Sequence, residues 1–329
     1  KAILDLRGAN QQLSFFIEGW KPFMVGGNRI HPSFKLHGTV TGRPSCERPN
    51  LQQVPRDPRI RTLISAPRGY ELVEFDLSQI EMRIAAEVSG DHNLIETFLK
   101  DIDVHWKTAI REVERGYAYP EEVVMTAQKY ENKEYDYADA IVVLERMGPD
   151  KCQEIWKGWK EVRKKAKAVN FGYLYGMWWK RFKEYAFNNY GVHVTDQEAE
   201  ESRTGYFELY PGLTEWHSRQ KAYARRHGYV KSLTGRKQCF ASDWNLMTAL
   251  QVRKEFPPPQ VYLVGTVHDA ILAEVKTKLV PKFEKRVKEI MEGPALLKAF
   301  KVKLSVPICG DVEIGPWGAG VSLEKWQNG

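Results

Sequence analysis

Long apolar runs are missing from this sequence: no stretch approaches the ~20 consecutive apolar residues that a membrane-spanning helix needs. No apolar segment near the start resembles a signal peptide either, so the sequence predicts a soluble, intracellular chain with no membrane partner. Cysteine is scarce. Cys46, Cys152, Cys239 and Cys309 lie far apart and form no CxxC pair, which argues against a zinc knuckle or a disulfide framework and predicts unpaired thiols in a reducing compartment. Internal repeats and low-complexity linkers are also lacking.

What is present is enough chain for a sizeable core. Its 329 residues suggest about two domains, at roughly 100–200 residues each. The formal charge of +7 and the pI of about 9.0 suit a polyanionic partner, because neutralising phosphates releases counterions, although many basic proteins bind no nucleic acid. The first residue is Lys1 rather than Met, and the chain is read as a piece of a longer protein.

Along the chain, residues 1–20 have helical character, and Pro44, Pro49, Pro55 and Pro58 keep residues 29–65 extended and loop-rich. Tyr70–Leu77 reads as a strand, followed by a helix from about Gln79 to Ser89 with Ile80, Ile84 and Val88 on one stripe. Residues 91–190 read as mainly helical, with an inserted surface hairpin expected over the aromatic and charged stretch 129–160. Val261–Val267 and Ile271–Val275 flank a short polar break and read as a β-hairpin. The fold class expected is α+β, a small sheet with a helical module inserted between two strands that end in carboxylates.

Three constellations carry chemistry. In Asp76-Leu77-Ser78-Gln79-Ile80-Glu81-Met82-Arg83, a carboxylate ends a buried strand just before a helix, a suitable ligand for a hard divalent cation. A lone Asp there more often caps the helix, and Ser78 with Glu81 fits a capping box. In the run from Arg163 to Gly176, Arg163, Lys167 and Phe171 recur at i, i+4 and i+8, while Val162, Ala166, Val169 and Tyr173 form a separate apolar stripe. At ~1.5 Å per residue the first face spans about 12 Å, enough for a triphosphate at one end and a base at the other; alone, it reads equally well as a solvated basic face. Finally, Val267-His268-Asp269-Ala270 puts an acid and a His at a hairpin tip, where Asp is also favoured for local hydrogen bonding.

Taken together and in this order, the motifs resemble those of family A DNA polymerases. DLSQIEMR with the downstream SGDHNLI and DVH resembles motif A, RKKAKAVNFGYLYG resembles the fingers helix of motif B, and VHDA resembles motif C. Thr41-Gly42-Arg43 with Pro49-Asn50-Leu51-Gln52 resembles the template-primer segment, and GDVEIGPW the last palm strand.

The resemblance implies a right-hand polymerase fold, an antiparallel palm sheet with inserted helical fingers. Its divisions would be a thumb or palm-base remnant at 1–28, palm at 29–104, fingers at 105–230 and palm again at 231–329. It implies a monomeric bacterial or phage enzyme, working in the cytoplasm on primer-template DNA and dNTP with two Mg2+ ions. Asp76, Asp269 and the Leu77 carbonyl would bind the metal, and Lys167 would give a proton to the leaving group. Gln79, Glu81, His105, Arg163, Lys167, Phe171 and Tyr175 would contact the nucleotide, with Glu81 excluding a 2′-hydroxyl. Arg43, Asn50, Gln52 and His268 would contact the DNA.

The sequence departs from the family pattern at several points. Ala270 stands where the family has Glu, and Leu77 where it has an aromatic residue. Measured against the family, a stretch with a DNA-contacting Gln is expected to be either deleted or disordered between Gly235-Arg236 and Ala241, and this chain is expected to lack most of the thumb and an exonuclease domain. Two other readings stay open: a single-subunit RNA polymerase, against which Glu81 and Phe171 argue, and a catalytically impaired primer-template binding module.

Overall fold

The computed structural model describes residues 2–26, 28–36, 38–39, 43–55, 57–114, 149–230, 240–267 and 269–328. The chain divides into two compact units, one of residues 1–80, 229–304 and 308–329, the other of residues 81–228 and 305–307.

The first unit is built on a sheet. Two short antiparallel ribbons precede it, Met24–Val25 (β1) with Arg29–Ile30 (β2) and Ser33–Lys35 (β3) with Ser45–Glu47 (β4), which is as much strand as the prolines of this region allow. The main sheet has four antiparallel strands in the order β6-β7-β5-β8: Val261–Val267 (β6), Ala270–Lys276 (β7), Tyr70–Leu77 (β5) and Gly310–Ile314 (β8). In β5, Val73, Phe75 and Leu77 point to one buried face, where Phe75 meets Phe283 of helix Val280–Glu292 edge-on at 5.9 Å. Gly310 keeps that layer tight, since a Cβ there would lie 2.5 Å from Met291 Cε. On the other face Leu72 and Leu272 pack with Val267, Trp20, Ile60 and Trp317. Further along this second face β5 carries Glu74 and then Asp76.

The second unit is helical among its described residues. Helices His92–Leu99, Val104–Glu114, Pro149–Leu174, Trp179–Tyr190, Asp196–Leu209 and Pro211–His227 enclose a core that includes Leu94, Val104, Val169, Tyr173, Phe182, Tyr206 and Leu213. Thr195 opens one of them with a capping box to Glu198. Among the described residues no helix is long and apolar enough to cross a membrane.

The α+β expectation and the strand at Tyr70–Leu77 hold, and the hairpin differs only at its ends. Three details differ. In helix Ile80–Ser89 the buried positions are Ile80, Met82, Arg83, Ala85, Ala86 and Ser89, while Ile84 and Val88 are only half-buried. The helix turns a different stripe inward because the small Ala85 and Ala86 permit close packing and Arg83 donates to the Pro307 carbonyl at 2.7 Å. That helix begins at Ile80, after Gln79 at φ +50, which leaves Ser78 one residue short of the cap position that a capping box requires. Residues 149–160 begin the 26-residue helix Pro149–Leu174 rather than close a surface hairpin; residues 129–148 lie outside the described residues.

Candidate active site

In the sheet unit, the antiparallel register sets Asp76 of β5 opposite Ala270 of β7, so Asp269, the next residue, sits at the adjoining strand end. Asp76 is exposed, yet protein crowds its carboxyl group. Desolvation is the largest cause that pushes its pKa up to about 7, and the Asp269 charge is the next. A hydrogen bond from the Leu77 N–H to Asp76 Oδ1, 2.8 Å, pulls the other way. The hairpin tip is held from behind, where Asn245 Nδ2 donates to the Asp269 carbonyl. Asp311 of β8 lies opposite Asp76 on the strand's other side.

These are hard oxygen donors, and a destabilised carboxylate beside a second one is what a divalent cation relieves. Two such carboxylates are donors of the kind that hard divalent cations take. Among the described residues no group of three or more His, Cys, Asp or Glu side chains is arranged to hold a metal.

The predicted DNA contacts are in the same unit. Asn50 Oδ1 caps the short turn Leu51–Gln53 by accepting from Gln52 N at 3.0 Å, and Gln52 Nε2 donates to the carbonyls of Pro44 and Thr266, each at 3.3 Å. Asn50 therefore orders the turn itself, and Gln52 ties it to β6. Arg43 is half-buried, and its carbonyl accepts from Thr39 Oγ1 at 2.9 Å. Gln79 holds its Oε1 enclosed, with no hydrogen-bond partner among the described residues. His268 lies outside the described residues, as do Thr41 and Gly42.

In the helical unit, the long helix Pro149–Leu174 orients the other candidates. Val162, Ala166, Val169 and Tyr173 are all fully buried, which leaves Arg163, Lys167 and Phe171 half-buried along a second face. Arg163 Nη2 donates to Asp103 Oδ2 at 2.6 Å, and the Phe171 and His105 rings lie 5.6 Å apart. His105 is buried, and burial holds its pKa down to about 3; Asp103 opposes that shift, while the positive charges of Arg163 and Lys167 add to it. Glu81 is half-buried. Tyr175 is exposed just past the helix end, before Gly176 at φ +73.

Sequence reading missed Asp311 and Asp103. The alternation in GDVEI could have flagged Asp311 as a same-face acid, whereas nothing local marks Asp103 as the partner of an arginine 60 residues away.

The sequence profile of DNA polymerase family A matches residues 1–138 and 152–255. The chain belongs to that family. Among its relatives in DNA polymerase family A, DNA polymerase I of Aquifex aeolicus (strain VF5) is 31% identical over 328 residues, covering 92% of this chain and 49% of its own length. The thermostable DNA polymerase I of Thermus aquaticus is 28% identical over 317 residues, covering 87% of this chain and 32% of its own length. The chain thus spans half or less of these relatives. Its fold is similar to that of the POL domain of Pol1 from M. smegmatis, solved in complex with DNA primer-template and dNTP: the TM-score is 0.70 at 24% identity, over 95% of this chain and 52% of that one.

Proposed function

We propose that this chain is a template-directed DNA polymerase that adds deoxynucleoside monophosphates to a primer 3′-hydroxyl and releases pyrophosphate. The observation that carries the proposal is the meeting of Asp76 and Asp269 at adjoining strand ends of the sheet, where burial and the Asp269 charge raise the cost of ionising Asp76. Two bound Mg2+ ions would supply activation of the primer hydroxyl and neutralisation of the triphosphate.

The chain's own groups do the rest. Asp76, Asp269 and the Leu77 carbonyl present the oxygens that would hold the cations. Arg163, restrained by Asp103, and Lys167 bind phosphate oxygens, and Lys167 delivers a proton to the leaving pyrophosphate. His105 adds a phosphate contact. Phe171 stacks on the incoming nucleotide, Tyr175 closes the pocket by the templating base, and Gln79 with Glu81 borders the sugar, where Glu81 excludes a 2′-hydroxyl. Arg43, Asn50, Gln52 and His268 bind the primer-template through its backbone and minor groove, so base pairing selects the nucleotide. In this reading the sheet unit is the palm, the helical unit is the fingers, and the protein acts as a monomer in the cytoplasm of a bacterium or phage-infected cell.

Primer extension with Mg2+ tests the proposal. The unaltered chain should extend a primed template with dNTP and not NTP, and Asp76→Ala should abolish extension; extension that persists in the variant removes the metal assignment. A second reading, a primer-template binding module with impaired catalysis, is favoured by Ala270, which puts a methyl group directly opposite Asp76. It would show as salt-sensitive DNA binding with no extension by the unaltered chain.

A further inference from the structure

Three polar side chains form a hydrogen-bonded chain in the buried interior of the helical unit. Thr108, Asn170 and His105 are 2%, 0% and 3% exposed, respectively, which makes every hydrogen bond among them consequential. Thr108 Oγ1 lies 2.9 Å from Asn170 Oδ1, and Asn170 Nδ2 lies 2.9 Å from His105 Nδ1. The same end of the Asn170 amide faces the Val104 carbonyl at 3.5 Å.

That carbonyl decides which way the amide is turned. An oxygen in the Nδ2 position would face the Val104 oxygen, so the NH2 group belongs there. The other end is then an acceptor for the Thr108 hydroxyl at 2.9 Å, whose one proton it shares with the Val104 carbonyl, 3.0 Å from the same oxygen. His105 Nδ1 accepts a hydrogen bond from the Asn170 NH2 and carries no proton itself, so the imidazole proton resides on Nε2. Among the described residues nothing accepts from Nε2.

We propose that Thr108 and Asn170 are positioning residues that fix His105 as a neutral imidazole protonated on Nε2, the form that donates to a phosphate oxygen of the incoming nucleotide. This rests on the reading of His105 as a phosphate contact. The groups around the ring fit a neutral donor. Arg163 and Lys167 on the facing helix already carry positive charge, Asp103 is engaged with Arg163, and Phe171 covers the ring from the side. A third cation would be opposed by burial and by both of its basic neighbours, whereas a neutral N–H adds direction without that cost. The arrangement joins two distant segments: His105 and Thr108 share one helical turn, while Asn170 comes from the buried side of the long helix, one residue before Phe171.

Nitrogen NMR of the full chain labelled in its 8 histidines tests this, with His105 identified by the signal lost in His105→Gln. The expected spectrum shows a protonated Nε2 and a bare Nδ1 from pH 5 to pH 9. Thr108→Val keeps the side-chain shape but removes the hydroxyl that anchors the amide. It should produce mixed tautomers and raise the KM for dNTP about 2–10-fold, the range one hydrogen bond allows, with kcat little changed, and Thr108→Ser should restore both. A wild-type His105 protonated on Nδ1, or a Thr108→Val chain with unaltered tautomer and KM, overturns the proposal. If His105→Gln leaves the KM for dNTP unchanged, the phosphate contact itself is wrong, a failure separate from the tautomer result.

Discussion

Asp76 and Asp311 lie directly opposite each other across the β5–β8 ladder, two like charges in one cross-strand pair. Cross-strand neighbours on one face bring their Cβ atoms within about 4.5–5.5 Å, so in the metal-free chain the pair repels. Asp311→Asn should therefore stabilise the metal-free protein by up to about 1 kcal/mol. Urea unfolding at pH 8 with chelator measures this, and an unchanged or lower midpoint would count against the repulsion.

The raised pKa of Asp76 sets a direction for stability against pH. The folded carboxyl keeps its proton to about pH 7, while in the unfolded chain it releases it near its ordinary value of 3.8. Between those values the folded state binds more protons, so stability of the metal-free chain should fall as pH rises from about 4 to 7. Asp76→Asn should flatten this contribution. Mg2+ should bind more tightly as pH rises through the same window, because a proton no longer competes for the oxygen. Thermal melts of both chains at several pH values, with and without Mg2+, check each sign.

Much of this site was legible in the sequence because its signals are local. Alternation marked Tyr70–Leu77, and the spacing of Val162, Ala166, Val169 and Tyr173 identified the buried stripe that leaves Arg163, Lys167 and Phe171 on another face. What was not legible depends on register or on distant partners. The pairing of Asp76 with Asp311 follows from how β8 aligns on β5, and the ion pair of Arg163 with Asp103 joins segments 60 residues apart. The Ile80, Ile84, Val88 stripe misled because a helix with apolar residues on several sides takes its inward face from its neighbours, not from its own periodicity.

On the hairpin that carries Asp269, Glu274 of β7 is gripped by Arg29 of β2 with two hydrogen bonds of 3.0 Å each. The Glu274 side chain is only 8% exposed, while that of Arg29 is 44% exposed. Removing the arginine strands a buried carboxylate, a loss of about 3–5 kcal/mol for a fully buried pair and about 2 kcal/mol here, since water reaches one partner. Arg29→Ala should thus lower the melting temperature clearly. The double variant Arg29→Ala with Glu274→Leu should recover most of the loss, and a double-variant cycle on chemical denaturation separates the two effects.

Gly172 poses a contest between helix propensity and packing on the helix that carries Arg163, Lys167 and Phe171. Alanine in a helix interior is favoured over glycine by about 0.5–1 kcal/mol, so propensity alone predicts that Gly172→Ala stabilises. A Cβ at this position, however, would lie 2.8 Å from Phe182 Cδ2 and 3.1 Å from Phe182 Cε2. Phe182 is fully buried and packs against the Tyr173 ring with centroids 4.5 Å apart, so it has little room to yield. Overpacking of this kind costs about 1–3 kcal/mol, more than the propensity gain, and Gly172→Ala should destabilise the helical unit by about 1 kcal/mol. Trimming the obstructing ring should reverse the sign: in a Phe182→Leu background the same Gly172→Ala change should be neutral or stabilising. Urea midpoints of the four chains decide the matter, and equal effects in both backgrounds would show that the ring contact is not what keeps glycine at this position.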